Sequence, residues 1–383
     1  MRAELFDHLL DDSHRTFREV CRRFVREEIA PHVWEWEEAE AFPKELFRKA
    51  GAAGLLGTSF PEAYGGGGGD WFHALVMSEE LIRGGSAGIA SGLGTQAIAL
   101  PPILHLGTEE QKQRYVPAVL AGDKVAALAI TEPGAGSDVA GVHTRAVRDG
   151  DHYLITGAKT FITSGVKADI VSVLTRTSDD PHQGLTFFVV ERGMPGFEVS
   201  RALKKTGWRA SDTAELSFDG VRVPLENRIG PEGSGFLALM HNFEGERLLL
   251  AIQGHALAET ALEEAARYAK ERHAFGRPIG KFQVIRHKLA EMATQVTSAK
   301  VLNYAIADAM RRGQPVMVEV CMAKNHAAKV AREVCWEAVQ IFGGMGYMRE
   351  TVVERLARDA RLLPIGGGTN EIMNEVIARG LGY

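Results

Sequence analysis

The chain has 383 residues, 44 Lys and Arg against 49 Asp and Glu, a formal charge of −5, and 45% apolar residues. That length exceeds what one simple core holds, so two or three packed units are expected. The weakly acidic balance argues against a nucleic-acid surface or a basic membrane patch and points to a small-molecule ligand.

The opening Met1-Arg-Ala-Glu-Leu-Phe-Asp7 is neither an apolar signal core nor an Arg/Ser-rich, acid-poor transit peptide. No long uncharged apolar run follows, so a cytoplasmic protein without a membrane span is expected. Asp12 or Ser13 can cap a first helix in which Phe17, Val20, Phe24 and Val25 recur at helical spacing, with Pro31 marking its end. A second helix starts at Pro43 and stops in the glycines around Gly54 and Gly57. Gly65–Gly69 reads as a flexible surface connection, because no strand precedes it and the context of a dinucleotide fingerprint is missing. Asp70 caps the next helix. Apolar segments over 86–106 and 109–121 complete a helical N-terminal domain, 1–124.

From about Val125 the period changes to alternation. Strands are expected at Ala126–Thr131, Tyr153–Thr156, Ile170–Thr175, Leu185–Val190 and Ala214–Phe218, with hairpin turns at Asp149-Gly150 and Asp219-Gly220. This predicts an antiparallel β-barrel or sandwich as a middle domain, 125–232. The helical period then returns over Phe236–Lys270, Gln283–Arg312 and Val316–Ile341, which with a terminal helix gives a C-terminal bundle, 233–383. The whole is an α+β multidomain chain. Cys21, Cys321 and Cys335 fall in helical patterns as an odd count without zinc-like pairing, and suit small core residues in a reducing compartment.

No two histidines form a His-Glu-x-x-His pair on one helix face, so no metal is expected. Hydrolase-elbow and P-loop motifs are also missing from the sequence. The chemistry concentrates instead in Ala127–Asp138, where a buried-looking strand runs into a Gly-rich turn. Pro133 fixes one dihedral, and Gly134 and Gly136 let the main chain approach a flat or anionic ligand.

Thr131-Glu-Pro-Gly-Ala-Gly-Ser-Asp138, followed by Lys159-Thr-Phe-Ile-Thr-Ser-Gly165, resembles the flavin-binding strands of the acyl-CoA dehydrogenase family. Arg272-His-Ala-Phe-Gly-Arg-Pro-Ile-Gly-Lys-Phe-Gln283, Gln340-Ile-Phe-Gly-Gly-Met-Gly-Tyr347 and Arg358-Asp-Ala-Arg361 extend the match over nearly the whole chain. The resemblance implies FAD, with Leu128, Ile130, Thr131, Gly136, Ser137, Phe161, Ile162 and Thr163 lining the isoalloxazine ring. Many members carry tryptophan where Phe161 stands. It implies that Arg272, Phe275, Phe282 and Gln283, with Gln340, Gly343 and Gly344, hold the pyrophosphate and adenosine across a subunit interface. Gly368, Thr369 and Asn370 would close over the cofactor. Ser137, Glu244 and Arg247 would meet the CoA substrate. A homotetramer built as a dimer of dimers and an electron-transferring flavoprotein as electron acceptor are implied in the same way.

The sequence departs from the family at its tail. Members usually carry Tyr-Glu-Gly-Thr, whose glutamate removes the substrate α-proton, whereas this chain reads Ile365-Gly-Gly-Gly-Thr369. Gly367 can supply only a backbone N–H to the thioester carbonyl. Isovaleryl-CoA and long-chain members place the glutamate on the first long C-terminal helix, just before an arginine, where this chain has Glu246-Arg247. Glu246 shares a helix face with Leu239, Phe243 and Leu250, and its i±3 and i±4 neighbours include no cation. A carboxylate on an apolar face is expected to have a raised pKa, as a general base requires. Glu244 suits an ion pair with Arg247 at i+3. Glu371, at a helix start, is the poorer rival base. The expected reaction is oxidation of a saturated, long or branched acyl-CoA to trans-2-enoyl-CoA. A flavin oxidase or monooxygenase, and a catalytically idle flavoprotein subunit, are the alternatives.

Overall fold

The computed structural model describes residues 6–383; the reading of Met1–Leu5 as part of neither a signal nor a transit segment lies outside the described residues. Asp11, one residue before the expected cap, accepts from Ser13 N and His14 N and starts α1 (Asp12–Phe24). A single π turn over Val25–Ile29 then carries the chain to Pro31. The periodicity reading omits α2 (Val33–Ala39), a short helix in which only Trp36 and Glu37 are buried. Next come α3 (Glu45–Ala52) and, capped by Asp70 as expected, α4 (Trp71–Arg83).

Asp11 and Asp70 head matching capping boxes. In each box the backbone N–H of the aspartate donates to the Nδ1 of a histidine at the third helical position, His14 at 3.0 Å and His73 at 3.3 Å. His14 Nε2 therefore carries its proton and donates to Asp70 Oδ1 at 2.8 Å. Among the described residues this is the one His/Asp group with three potential metal-ligand atoms close together, but its ring nitrogens already serve the two helix starts.

The five glycines do not form a loose connection. Gly67 N, Gly68 N and Gly69 N donate to Gly57 O, Phe60 O and Thr58 O at 2.8, 2.9 and 2.8 Å, lacing the run onto the preceding turn. A Cβ on Gly66 would sit 2.1 Å from Phe60 O, so close backbone approach is what requires glycine there. Four helices follow: α5 (Ala87–Leu93), α6 (Gln96–Ala99), α7 (Pro101–Leu106) and α8 (Glu109–Leu120).

The β-rich middle region comprises β1 (Ala126–Ala129), β2 (Arg145–Asp149), β3 (His152–Thr163), β4 (Ile170–Arg176), β5 (Leu185–Glu191), β6 (Phe197–Ala202), β7 (Thr213–Pro224) and β8 (Arg228–Ile229). The order β6-β7-β3-β2-β4-β5-β8, with β1 beside β4, forms an open path and not a closed barrel. Nor is it wholly antiparallel, since β1 runs parallel to β4. One parallel bridge, Arg145 with Arg176, joins the two halves, and side chains from both halves share an apolar core that includes Ala127, Ile155, Val171, Phe188 and Leu216. The arrangement is therefore a sandwich. The far face of β1, β4 and β5 packs against α6, α7, α8 and the start of the next helix through Leu100, Ile103, Val116, Phe187 and Leu239. Six of the seven residues of β4 are buried, so both of its faces are covered.

Asp149-Gly150 turns between β2 and β3 as expected, with Gly150 at φ 64. Asp219-Gly220 does not. It lies inside β7, where the pairing with β3 shifts register opposite Gly157, so the same turn chemistry makes a bulge in a continuing strand.

Three helices form the C-terminal bundle: α9 (Gly235–Glu271), α10 (Gln283–Arg311) and α11 (Met317–Phe342), each within two residues of the expected bounds. A two-stranded hairpin, β9 (His273–Ala274) with β10 (Arg277–Pro278), joins α9 to α10. Two shorter helices, α12 (Val352–Ala360) and α13 (Asn370–Gly380), end the chain. A Cβ on Gly254 would lie 3.0 Å from Ala327 Cβ, so α9 and α11 cross at close range. Among the described residues no single helix is long and apolar enough to cross a membrane. Cys21, Cys321 and Cys335 are unpaired and buried.

A buried polar network ties α4 to this bundle. Glu79 accepts from His255 at 2.9 Å and from the Tyr304 hydroxyl at 3.1 Å, while Lys300 bridges Glu79 and Glu259 at 3.1 and 2.9 Å. Burial alone would raise the Glu79 pKa, but Lys300, His255 and Arg18 outweigh it and hold the carboxyl below its usual range. A carboxyl depressed in the fold contributes stability above its unfolded pKa of about 4.3 and loses it as pH falls through the folded value. Lys300→Met removes the cation shared by Glu79 and Glu259, while Arg18 and His255 stay on Glu79. Urea titration at neutral pH is expected to show a loss of about 1–3 kcal/mol, and an unchanged midpoint would contradict this.

Candidate active site

Two segments that are distant in sequence are brought side by side at the edge of the sandwich. Thr160 N donates to Thr131 O at 2.8 Å, joining the Gly-rich turn after β1 to the end of β3. Beneath them Lys159, 0% exposed, donates to Ile130 O and to Glu132 Oε1, both at 2.8 Å. Glu132 also accepts from His143 N at 2.7 Å and Thr144 N at 2.9 Å. Burial pushes the Lys159 pKa down to about 8, with Glu132 opposing the shift. The sequence reading missed this pair as structure, although both residues lie inside the quoted motifs.

The pinned backbone presents a wall. The register breaks between Lys159 and Ile162, placing Phe161 at φ 61 and 68% exposed. Ile162 and Leu128 are buried behind it. The hydroxyls of Thr131, Ser137 and Thr163 make no side-chain hydrogen bond among the described residues. Space is open where Gly134 and Gly136 would carry a Cβ. An exposed aromatic face, free hydroxyls and accessible backbone form a donor set that fits a flat ring with a polar edge. Asn370 supplies a further sign, because its buried Oδ1 has no partner.

The second half of the site lies on α9. Glu246 is half-buried, one turn after Phe243, and Phe243 packs against the same apolar cluster as Leu128 and Ile130. Burial raises the Glu246 pKa, and Arg247 and Lys324 pull it back in part. Glu246 Oε1 lies 3.5 Å from where a Cβ on Gly367 would stand. The carboxylate of α9 and the missing side chain of the tail thus address one volume.

Glu371 differs. It is exposed at the start of α13, and its own backbone N–H and Thr369 hold its pKa below the usual range. Glu244 does not pair with Arg247 as expected; its Oε1 accepts from Val316 N at 3.1 Å, just before α11. Arg247 is 6% exposed and directed inward, with Nε 3.5 Å from Gly367 O and Nη1 3.3 Å from Met317 Sδ.

The remaining predicted residues gather elsewhere. Arg272, Gln283, Gln340, Gly343 and Gly344 are exposed, as is Phe275 at 94%. Phe275 meets Phe282 edge-on at 6.0 Å, and Tyr268 stacks on Phe342 at 4.1 Å, bringing the ends of α9 and α11 together. Arg272 follows Glu246 by about 26 residues, roughly 39 Å of helix at about 1.5 Å per residue. Glu246 and Arg272, the residue that caps α9, therefore lie at widely separated points along it.

Comparison with known proteins gives matches along nearly the whole chain. Three family models match: the N-terminal domain of acyl-CoA dehydrogenase over residues 11–123, its middle domain over 127–221 and its C-terminal domain over 233–382. The long-chain specific mitochondrial acyl-CoA dehydrogenase of Sus scrofa is 40% identical over 374 residues, covering 97% of this chain and 87% of that protein. The crystal structure of a probable acyl-CoA dehydrogenase from Mycobacterium abscessus superimposes with a TM-score of 0.96 at 50% identity, covering 97% and 99% of the two chains. A glutaryl-CoA dehydrogenase from Mycobacterium smegmatis, solved in complex with FADH2, gives a TM-score of 0.93 at 28% identity, covering 98% and 96%.

Proposed function

Since the chain belongs to the acyl-CoA dehydrogenase family of FAD-dependent oxidoreductases, we propose that it oxidises the α,β bond of a saturated acyl-CoA with Glu246 as the α-proton base. The observation that carries this reading is the 3.5 Å between Glu246 Oε1 and the Cβ position of Gly367. A carboxylate arriving from α9 fills the space that a tail glutamate would use. It also removes the motive for an idle flavoprotein, which rested on Gly367 alone.

Bound FAD supplies the hydride acceptor for the β-carbon. The chain's own residues do the rest. The wall from Leu128 to Thr163 positions the flat ring, and Thr131, Ser137 and Thr163 offer hydroxyls to its edge. Gly367, at φ 65 and with no side chain, leaves its backbone N–H free to polarise the thioester carbonyl. The raised pKa of Glu246 makes its carboxylate a stronger proton acceptor than an exposed glutamate. Tail and base arrive from different elements, and Leu250 Cδ1 and Glu246 Oε1 both border the position that a Cβ on Gly367 would take. By analogy with the long-chain relative, long or branched acyl groups are the substrates. An electron-transferring flavoprotein is the acceptor, and a cytoplasmic location suits three buried, unpaired cysteines.

A homotetramer completes the site. Arg272 is exposed at the end of α9 opposite the half that holds Glu246, with Gln283, Gln340 and Gly344 also exposed, so a second copy brings them to the pyrophosphate. Arg272→Ala is expected to weaken FAD retention on dilution at least about tenfold, as loss of one charge-assisted contact implies. A monomer in sedimentation that keeps its FAD equally well would overturn the shared site. Substrate class is read by anaerobic mixing with straight and branched acyl-CoA thioesters while the flavin spectrum is followed. Bleaching by none of them would defeat the proposal, and steady peroxide formation in air would favour the oxidase alternative.

A further inference from the structure

Arg247 and Lys324 are two buried cations, 6% and 1% exposed. Neither has a carboxylate within ion-pair distance among the described residues. Isolated charges in a protein interior are costly unless something uses them. Both point at the tail loop. Lys324 Nζ donates to Gly368 O, and Arg247 Nε lies 3.5 Å from Gly367 O. Arg247 Nη2 is also 3.9 Å from where a Cβ on Gly368 would be. Both glycines take positive φ, 65 and 98, a conformation that a residue with a side chain rarely adopts.

We propose that Arg247 and Lys324 are positioning residues that form a buried dicationic floor under Gly367 and Gly368, fixing that loop and keeping negative charge favourable as it passes from Glu246 to the thioester. The inference rests on the reading of Glu246 as the base. When the α-proton moves to Glu246, the carboxylate becomes neutral and the charge appears on the substrate. The floor faces an anion both before and after the transfer, so its attraction is not forfeited during the step. A simple tether for the tail needs only hydrogen bonds and no second cation.

The surrounding groups are consistent with this. From α9 the floor faces Glu246 and Glu244, from α11 Cys321, and from the start of α13 Glu371. Arg247 Nη1 lies 3.6 Å from Cys321 Sγ and 3.3 Å from Met317 Sδ, and the guanidinium sits 4.9 Å over the Phe243 ring. Burial, then Arg247, push the Lys324 pKa down to about 8, while Glu246 opposes them. Arg247 and Lys324 both hold Glu246 below the value that its burial alone would give it.

The test uses FAD-loaded holoenzyme and two readouts: the pH profile of flavin reduction by saturating acyl-CoA, and the long-wavelength absorbance formed with a 3-thiaacyl-CoA. That analogue can lose its α-proton but has no β-hydride to give. Lys324→Met is expected to shift the acidic limb upward by about one unit or more, to cut reduction below that limb about tenfold, and to weaken the long-wavelength band. Lys324→Arg should restore both. If Lys324→Met fails to hold FAD, Cys321→Asp is the second variant, since it places a carboxylate beside Arg247 and should move the limb the same way. An unmoved limb and an unchanged band in whichever variant retains FAD would reduce the pair to a structural tether. Glu246→Gln keeps the two readings apart. If it abolishes reduction while the floor variants leave the limb unmoved, only the floor falls; if it reduces normally, the base assignment falls first.

Discussion

Glu246→Gln is expected to retain fold and FAD while losing flavin reduction by acyl-CoA by about 10²–10⁴-fold or more, the usual range for loss of a general base. An amide of the same shape keeps the packing against Leu250 and the tail loop but cannot accept a proton. In the wild-type protein the rate should fall on the acid side of a pKa lying above the ordinary glutamate value, because burial outweighs Arg247 and Lys324. That limb should vanish in the variant. Glu371→Gln, which changes an exposed carboxyl already held low by its helix start, is expected to cost less than about threefold. Equal losses from the two substitutions would remove the basis for choosing α9 over the tail.

The second large effect is expected at Gly367. A Cβ there would lie 2.3 Å from Leu250 Cδ1, and the residue sits at φ 65, where L side chains are strained. Gly367→Glu alone therefore crowds Leu250 and sets a second carboxylate beside Glu246. Two carboxylates at that range hold a proton between them, so the base is already occupied when the substrate arrives. The rate is expected to fall at least about 10²-fold, of the same order as the loss of the base itself. Moving the carboxylate outright, Glu246→Gly with Gly367→Glu, should recover little while Leu250 blocks the new side chain. Adding Leu250→Ala should recover part of the rate and alter substrate preference, because walls on opposite sides of the acyl pocket have changed. Full activity in the single variant Gly367→Glu, with its pH limb unaltered, would show that residue 367 does not face the reacting carbon.

Much of this architecture was legible in the sequence where one physical signal persisted over many residues. The helical period ran through the 37 residues of α9, across Gly245 and Gly254, and through the 26 of α11, so their limits could be read directly. Strands β4 and β5 were read as short segments between turn residues, although burial on both faces leaves little alternation in them. The edge of the sandwich did not: in β2 one residue is buried, and β6 has none, so charged side chains erased the alternation. Turn chemistry misled twice, at Asp219-Gly220 and along Gly65–Gly69, because glycine permits a bulge or a tightly laced loop as readily as a loose turn.

The site divides in the same way. Glu246 stood out because Glu246-Arg247 resembles the family's helix-borne motif and its i±3 and i±4 neighbours include no cation, which is local information. Lys324 and its link to Gly368, 44 residues away, and Arg247 with Gly367, 120 residues away, were invisible to any short window. The ion pair expected between Glu244 and Arg247 illustrates the limit. Correct i, i+3 spacing loses to a backbone N–H of Val316 that only the bundle brings near.

The most direct test of the central claim is rapid anaerobic mixing of FAD-loaded wild-type protein and FAD-loaded Glu246→Gln with the same acyl-CoA, followed in the visible flavin band with product identified. The account predicts bleaching with formation of the trans-2-enoyl thioester in the wild type, and a flavin that stays oxidised over the same period in the variant. Bleaching of Glu246→Gln at the wild-type rate would contradict it.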